Sequence, residues 1–181
     1  MELKQETVHI YKHGYSEIVR LFKESFPEGE QFPLWALRLL TVLKPAKFSA
    51  FYDGDTLAGI LYSIESTDYF FILYLAVNPK IRSCGYGGKI LEYAFEKAVD
   101  RPIVLNVEAL DENADNNEQR KRRNAFYAKH GICDTGYIIE DDDVTYSVLC
   151  SSLDKFNPKS YEEMLRNISF GVLNRGVTKQ K

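Results

Sequence analysis

The residues best suited to chemistry form one short glycine-rich segment, Arg82-Ser83-Cys84-Gly85-Tyr86-Gly87-Gly88. Glycines let the backbone come close to a ligand, because no Cβ stands in the way. An arginine in such a segment adds a fork of donors that suits phosphate oxygens. The spacing therefore predicts an anion-binding loop, most simply for a phosphate or pyrophosphate. An ordinary tight turn between two elements is the alternative.

The elements on either side of this loop are the ones an anion site needs. Residues 69–77 are an unbroken apolar run, typical of a strand buried on both faces, and Asn78-Pro79 ends it. Apolar residues recur at helical spacing over residues 90–98. The first amides of a helix have no partner within it, and the helix dipole adds positive charge there. A strand–loop–helix order thus predicts a phosphate held at a helix N-terminus.

Two common phosphate-binding patterns do not fit the loop. It lacks the Gly-Lys-Ser/Thr ending of a triphosphate-binding loop. Its glycines, at positions 85, 87 and 88, do not match the dinucleotide fingerprint either. A nucleotide-binding protein of another fold therefore remains only as a weaker alternative.

The pattern Arg-x-x-Gly-x-Gly after a buried strand, carried by Arg82, Gly85 and Gly87, resembles the acetyl-CoA-binding segment of the GNAT N-acetyltransferase superfamily. Residues 126–132, Phe-Tyr-Ala-Lys-His-Gly-Ile, resemble the family's helix ending, and Val107-Glu108 resemble its strand beside the cofactor. The resemblance implies an α/β (α+β) fold over about residues 6–149. Its mixed, mostly antiparallel sheet would have six to seven strands, with helices on both sides. It also implies an N-acetyltransferase that moves an acetyl group from acetyl-CoA to a primary amine by direct transfer.

The resemblance also implies which residues contact acetyl-CoA. Backbone groups of Leu75, Ala76 and Val77 would pair with the pantetheine arm, and the Val77 amide would hold the thioester oxygen. Tyr127 would lie near the thioester sulfur and protonate the leaving thiolate. The pyrophosphate would be held by the backbone amides of the loop, those of Arg82, Ser83, Cys84, Gly85, Tyr86, Gly87 and Gly88.

Direct transfer also needs a group that takes a proton from the attacking amine. Glu108 comes late on the predicted strand at residues 103–110, on the face opposite its apolar layer. It is the candidate base, acting directly or through water, and a salt-bridged strand glutamate is the alternative. Many family members carry an asparagine that contacts pantetheine seven positions before the tyrosine, and here that position is Arg120. The basic run on this helix, formed by Arg120, Lys121, Arg122, Arg123 and Lys129, is predicted to be a solvated helix face, and contact with the adenosine phosphates of the cofactor is the alternative.

Composition limits the classes of function. The 181 residues carry a net charge of -3, which argues against a large nucleic-acid surface. No apolar stretch approaches the ~20 residues of a membrane helix. Three widely spaced cysteines and the lack of a secretion signal predict a cytoplasmic protein without a disulfide framework. No Cys/His cluster has metal-ligand spacing, so no metal is expected.

The remaining pattern predicts a single domain over residues 1–181. Helices are predicted at residues 15–26, 33–43, 118–130 and about 158–170, in addition to the one after the loop. Strands are predicted at residues 6–12, 48–52, 57–64, 69–77, 103–110, 135–140 and 144–149, and the tail at 176–181 is expected to be polar and frayed. In the second helix Trp35, Leu39 and Val42 form an apolar row, predicted to be buried or to contact a ligand or partner.

The acceptor amine and the oligomeric state stay open at this stage, a homodimer included. Acidic residues near the first helix, among them Glu17, Glu24 and Glu28, favour a cationic amine. The alternative function is a non-catalytic acyl-CoA-binding sensor or regulatory module. Turnover in an acceptor screen separates these two hypotheses.

Overall fold

The computed structural model describes residues 3–9, 14–141, 144–168 and 176–180. Its α-helices are Tyr15–Ser25 (α1), Leu34–Leu43 (α2), Tyr86–Ala98 (α3), Asn117–Lys129 (α4) and Pro158–Ile168 (α5). Its β-strands are Lys4–Thr7 (β1), Ala46–Asp53 (β2), Thr56–Glu65 (β3), Phe70–Val77 (β4), Ile103–Glu108 (β5), Cys133–Asp141 (β6), Val144–Cys150 (β7) and Val177–Lys179 (β8). The predicted mixed, mostly antiparallel α/β class is confirmed, with eight strands among the described residues instead of six to seven.

The additional strand lies where the sequence predicts a frayed tail. β8 pairs antiparallel with β6, with Tyr137 opposite Lys179 and Ile139 opposite Val177. The prediction of a frayed tail is therefore wrong for Val177–Lys179. A three-residue strand of mostly polar residues has no apolar alternation, and it is held through backbone hydrogen bonds that sequence patterns do not register.

Most predicted elements are confirmed within one or two residues, and the first strand needs correction. The first strand is Lys4–Thr7 instead of residues 6–12, of which 10–13 lie outside the described residues. The strand predicted at 103–110 ends at Glu108. The last helix, predicted at about 158–170, is described as Pro158–Ile168, with residues 169 and 170 outside the described range.

Packing divides the chain into two compact units, and the division falls within β4. The first unit comprises residues 1–65 and 72–97, and its strands lie in the order β1-β2-β3-β4. β2 and β3 form a hairpin, in which Asp53 pairs with Thr56 and Gly54 takes the left-handed φ of 58° that the turn requires. The prediction that residues 1–181 form a single domain remains a prediction.

Two helices at the start of the chain pack onto the first unit's sheet through few residues. α1 buries Ile18, Leu21 and Phe22, whereas α2 buries only Leu37 and Leu40. The hydroxyl of Tyr62, on β3, donates a 2.6 Å hydrogen bond to the Leu37 carbonyl and ties α2 to the sheet.

The apolar row predicted on α2 faces solvent. Trp35 is 70% exposed, Leu39 44% and Val42 80%. The prediction that this row is buried in the chain's own core is therefore wrong. The alternative, contact with a ligand or partner, remains a prediction.

The second unit comprises residues 66–71 and 98–181, with strands in the order β5-β7-β6-β8. Its core is partly aromatic, because Tyr161 of α5 is fully buried and its ring meets that of Tyr69 edge-on at 5.9 Å. The Tyr161 hydroxyl donates to the Asn106 side chain on β5 at 2.6 Å. This contact joins α5 to the strand that also carries Glu108.

Within the ranges that the structure describes, no helix is both long and apolar enough to cross a membrane.

Candidate functional site

The predicted loop leaves β4 through Asn78, which is tied to β3 by two hydrogen bonds. Its backbone N–H donates to the Ala58 carbonyl at 2.9 Å, and its side-chain amide donates to the Leu57 carbonyl at 2.8 Å. Its side-chain oxygen accepts from the Lys80 N–H at 3.1 Å, at the start of a short 3-10 helix, Pro79–Ile81. Asn78 thus fixes both the end of the strand and the direction in which the loop departs.

Two residues of the loop adopt left-handed backbone conformations just before α3. Ser83 has φ 66° and Gly85 has φ 82°. A Cβ at Gly85 would meet open space, so a side chain there is opposed by backbone strain alone. The carbonyl of Gly85 accepts from the Lys89 N–H, which opens the first turn of α3. Because the 13-residue helix α3 begins at Tyr86, the last three residues of the predicted loop, Tyr86, Gly87 and Gly88, form its first turn and carry its first amides.

Some side chains of the loop are exposed to solvent, whereas that of Tyr86 is buried and has a structural role. Arg82, Ser83 and Cys84 are exposed, so the arginine is free to reach an anion from solvent. Tyr86 is buried, and its hydroxyl donates to the Asp53 carboxylate at 2.7 Å, a bond that raises the pKa of Tyr86. The tyrosine side chain thus fastens the start of α3 to the β2–β3 hairpin. Only its backbone amide remains available for the predicted role.

The predicted pantetheine strand is pressed closely against β3. Gly59 is buried on β3, and a Cβ there would lie 2.5 Å from the Ala76 carbonyl oxygen and 2.6 Å from Ile90 Cδ1. Ala76 is buried, whereas Leu75 and Val77 are half-buried. The absence of a side chain at Gly59 lets β4 and α3 approach, and so sets the position of residues 75–77.

Tyr74, also on β4, holds the connection between α1 and α2. Its hydroxyl donates to the Glu30 carbonyl at 2.7 Å and accepts from the Phe32 N–H at 2.9 Å. Its ring lies 4.9 Å from Phe22, edge-on, and burial raises the pKa of Tyr74 to about 12. The hydroxyl therefore stays protonated and donates this bond at any ordinary pH.

The acidic residues near α1 have basic residues beside them. Glu17 and Glu24 line a cavity of about 170 Å³ together with Arg20 and Lys80. Positive and negative side chains thus share this surface, and it offers no purely acidic site. The expectation of a cationic acceptor gains no support from it and remains a prediction.

Glu108, the predicted base, is a buried carboxylate in the second unit. Its side chain is 9% exposed. Its Oε1 lies 2.9 Å from Nη2 of Arg120, and its Oε2 lies 3.0 Å from Nη1 of Arg123. Both arginines belong to the run predicted to be a solvated helix face, and for these two that prediction is wrong. The alternative named for Glu108, a salt-bridged strand glutamate, describes its surroundings.

Tyr127, the predicted acid, lies on α4 in the same unit. The residue is 7% exposed. Burial raises the pKa of its hydroxyl, the positive charge of Arg123 opposes part of that rise, and the resulting pKa is about 12. Just after it, Gly131 takes φ 76° and its N–H donates to the Ala128 carbonyl, which ends the helix at the predicted residue. The hydroxyl is thus protonated at neutral pH, as a proton donor must be.

The predicted site residues fall into two sets. Residues 75–77 and 82–88 come together in the first unit, joined by β4 and the loop. Glu108 and Tyr127 belong to the second unit, linked through α4. Four residues that shape the two sets were not among the predicted site residues: Asp53, Gly59, Tyr74 and Arg123. Of these four, only Gly59 carried a local signal, because a glycine within a strand can mark the close approach of another backbone.

A family model described as Acetyltransferase (GNAT) family matches residues 15–132. The chain belongs to the GNAT acetyltransferase family. The match spans the loop, Glu108 and Tyr127, and it confirms the predicted family and enzyme class.

Solved structures of GNAT proteins are similar over most of the chain. A protein from Bacteroides thetaiotaomicron, described as a GNAT-family acetyltransferase, is 27% identical, with a TM-score of 0.74 over 93% of this chain and 99% of that one. A GNAT acetyltransferase from Elizabethkingia anophelis, solved with acetyl-CoA bound, is 13% identical, with a TM-score of 0.58 over 83% and 98%. An aminoglycoside 6'-N-acetyltransferase from Enterococcus faecium is 17% identical, with a TM-score of 0.60 over 84% and 97%. The last two show likeness of fold alone. A comparison with curated protein sequences gave no match.

Proposed function

We propose that this GNAT protein transfers an acetyl group from acetyl-CoA to a primary amine, with both substrates bound together. The observation that carries the proposal is the loop between β4 and α3. Left-handed residues at 83 and 85 lead directly into a 13-residue helix, beside an exposed arginine. Such a helix N-terminus favours a pyrophosphate. The similar fold from Elizabethkingia anophelis, solved with acetyl-CoA bound, supports the same assignment.

The proposed chemistry assigns one role to each set of residues. The amine nitrogen attacks the thioester carbonyl, and the backbone amide of Val77 donates a hydrogen bond to the oxyanion. The C–S bond then breaks, Tyr127 gives its proton to the departing thiolate, and the nitrogen loses one proton to water. Water returns a proton to Tyr127, so each turnover leaves the enzyme unchanged. The products are an amide and free CoA, and no acyl-enzyme forms. Backbone groups of residues 75–77 would pair with pantetheine, and amides of residues 82–88 would hold the pyrophosphate.

The test is an acceptor screen that follows release of the free CoA thiol. Amino acids, peptides with free N-termini, polyamines and aminoglycosides form the panel, each incubated with acetyl-CoA and the full chain. The proposal expects acceptor-dependent thiol release and a product heavier by one acetyl group. Tight acetyl-CoA binding without release for any amine would instead favour the acyl-CoA sensor.

Reversing the charge at Arg82 is expected to weaken CoA binding about 10- to 100-fold, since a hydrogen bond to a charged group contributes ~1.5–3 kcal/mol. Isothermal titration with CoA measures the change. Lys80→Glu is the matched control, because Lys80 is an exposed cation two residues away and undergoes the same change of charge. Equal losses in the two variants would show only general electrostatics, and unchanged affinity in Arg82→Glu would remove the arginine from the site.

The pH dependence follows from the raised pKa of Tyr127. The acid works only while protonated, and its pKa of about 12 keeps it protonated far above neutrality. The attacking amine works only when neutral, so the rate rises with pH as the amine loses its proton. We expect kcat/KM to rise to about pH 10 without a falling limb. A falling limb below about pH 9 that disappears in Tyr127→Phe would contradict the assigned pKa.

A further inference from the structure

α4 has unusually little apolar surface with which to dock. Within Asn117–Lys129 only Asn117 and Tyr127 are buried. The helix carries one acid, Glu118, and five basic side chains, Arg120, Lys121, Arg122, Arg123 and Lys129. Helices of globular proteins usually gain their placement from an apolar stripe against the core. The first turns of α4 must therefore be held in another way.

A single carboxylate from β5 holds them. Besides its two ion pairs with Arg120 and Arg123, Glu108 accepts from the Asn116 side-chain amide, 3.1 Å from Oε1 and 3.4 Å from Oε2. Asn116 is the residue that precedes the first turn of α4. Three positions over two helical turns thus converge on one side chain.

Arg120 also forms hydrogen bonds with Asn116 and with the backbone that follows β5. Its Nε donates to the Asn116 side-chain oxygen at 2.8 Å, and its Nη1 donates to the Ala109 carbonyl at 2.7 Å. Side chains of Arg120 and Arg123 are 15% and 31% exposed, so their like charges are only partly screened by water. Glu108 is the group that balances them.

These contacts argue against proton transfer to Glu108. Each oxygen already accepts from a guanidinium, and a proton on either would displace an ion pair. The displaced arginine would then lose its counter-ion beside a second, only partly exposed cation, which is unfavourable. If Glu108 were the base, it would be protonated in every turnover, and an ion pair with Arg120 or Arg123 would have to break each time.

We propose that Glu108 is a positioning residue, whose carboxylate anchors α4 and thereby sets the place of the Tyr127 hydroxyl. Arg123 lies one helical turn before Tyr127, so the ion pair and the tyrosine share one stretch of helix. The inference rests on the proposed function, since it takes Tyr127 as the acid.

The test compares Glu108→Gln with the double variant Glu108→Gln/Arg123→Gln. The single variant keeps the shape of the side chain and removes its charge, which leaves two arginines unbalanced. We expect kcat to fall at least tenfold, KM for acetyl-CoA to stay within threefold, and amide hydrogen exchange across α4 to accelerate at least tenfold. The double variant restores the net charge of the cluster without any carboxylate. We expect it to recover at least fivefold in kcat and to slow the exchange of α4 again.

Glu118→Gln is the matched control, because it removes an exposed carboxylate from the same helix, where Glu118 pairs with Lys121 at 2.8 Å. Its kcat and its exchange rates should stay within twofold of the wild type. A Glu108→Gln variant with normal α4 exchange and lost turnover would overturn the proposal in favour of a base. So would a double variant that folds but recovers nothing. If the single variant does not fold, a folded and active double variant supports the anchor, and an unfolded or inactive one overturns it.

The two proposals fail in different ways. Absence of acetyl transfer by the wild type with every acceptor would overturn the proposed function. Hydrogen exchange of α4 needs no turnover, so the same variants still show whether Glu108 anchors the helix.

Discussion

Tyr127→Phe is expected to lower kcat about 100-fold while the Kd for acetyl-CoA changes less than about threefold, because a positioned proton donor typically contributes 10²- to 10⁴-fold. The residue is 7% exposed, so phenylalanine fills the same space and loses only the hydroxyl. Burial raises the pKa of that hydroxyl to about 12, which keeps its proton available at neutral pH. Without the proton the thiolate must depart unprotonated, and the transition state loses that stabilisation.

Tyr137→Phe is the control for this change. Tyr137 lies on β6 of the same unit, and its ring packs against Phe156 at a centroid distance of 5.6 Å. Removing its hydroxyl should leave kcat within twofold of the wild type. Kinetics with the best amine from the screen, together with titration of acetyl-CoA, give both constants. Equal kcat in Tyr127→Phe and the wild type would remove Tyr127 from the role of acid.

Gly59→Ala is expected to destabilise the fold by about 2–3 kcal/mol, the upper part of the range found when atoms are forced into a packed site, because the added atom meets backbone. The added Cβ would lie 2.5 Å from the Ala76 carbonyl oxygen and 2.6 Å from Ile90 Cδ1. Rotation of the Ile90 side chain can relieve the second contact, but the first involves backbone and forces β3 and β4 apart. For a chain of this size the melting temperature should fall by about 4–12 °C.

The same substitution should weaken acetyl-CoA binding, because the strand that moves carries residues 75–77. Gly29→Ala is the control, since a Cβ at Gly29 meets no atom within 4 Å. Thermal unfolding with and without acetyl-CoA measures stability and affinity together. An unchanged melting temperature in Gly59→Ala would show that β3 and β4 do not approach as closely as described.

Local patterns predicted the parts of the site that depend on local conformation. The glycine at position 85 is needed for its φ of 82°, and the helix that starts at Tyr86 follows from apolar spacing. Gly131 ends α4 for the same kind of reason. Such requirements act within a few residues of the chain, so they are visible in the sequence.

The contacts that hold the site join residues far apart in the chain. Tyr86 meets Asp53, 33 positions away, and Tyr74 meets Glu30, 44 positions away. The arginine run on α4 gave no sign of which side chains turn inward, because the pairing depends on where β5 places Glu108. The row of Trp35, Leu39 and Val42 was predicted to be buried or to contact a ligand or partner, and it is exposed instead of buried. An apolar helical pattern does not specify what the helix packs against.

Thermal unfolding of the full chain with acetyl-CoA, CoA, NAD and ATP in parallel tests the central claim most directly. A ligand that binds only the folded state stabilises it by ~2.7 kcal/mol at about a hundred times its Kd. We expect acetyl-CoA and CoA to raise the melting temperature and NAD and ATP to leave it unchanged. No shift with either acetyl-CoA or CoA would contradict the assignment, and the loop before α3 would then be a structural turn.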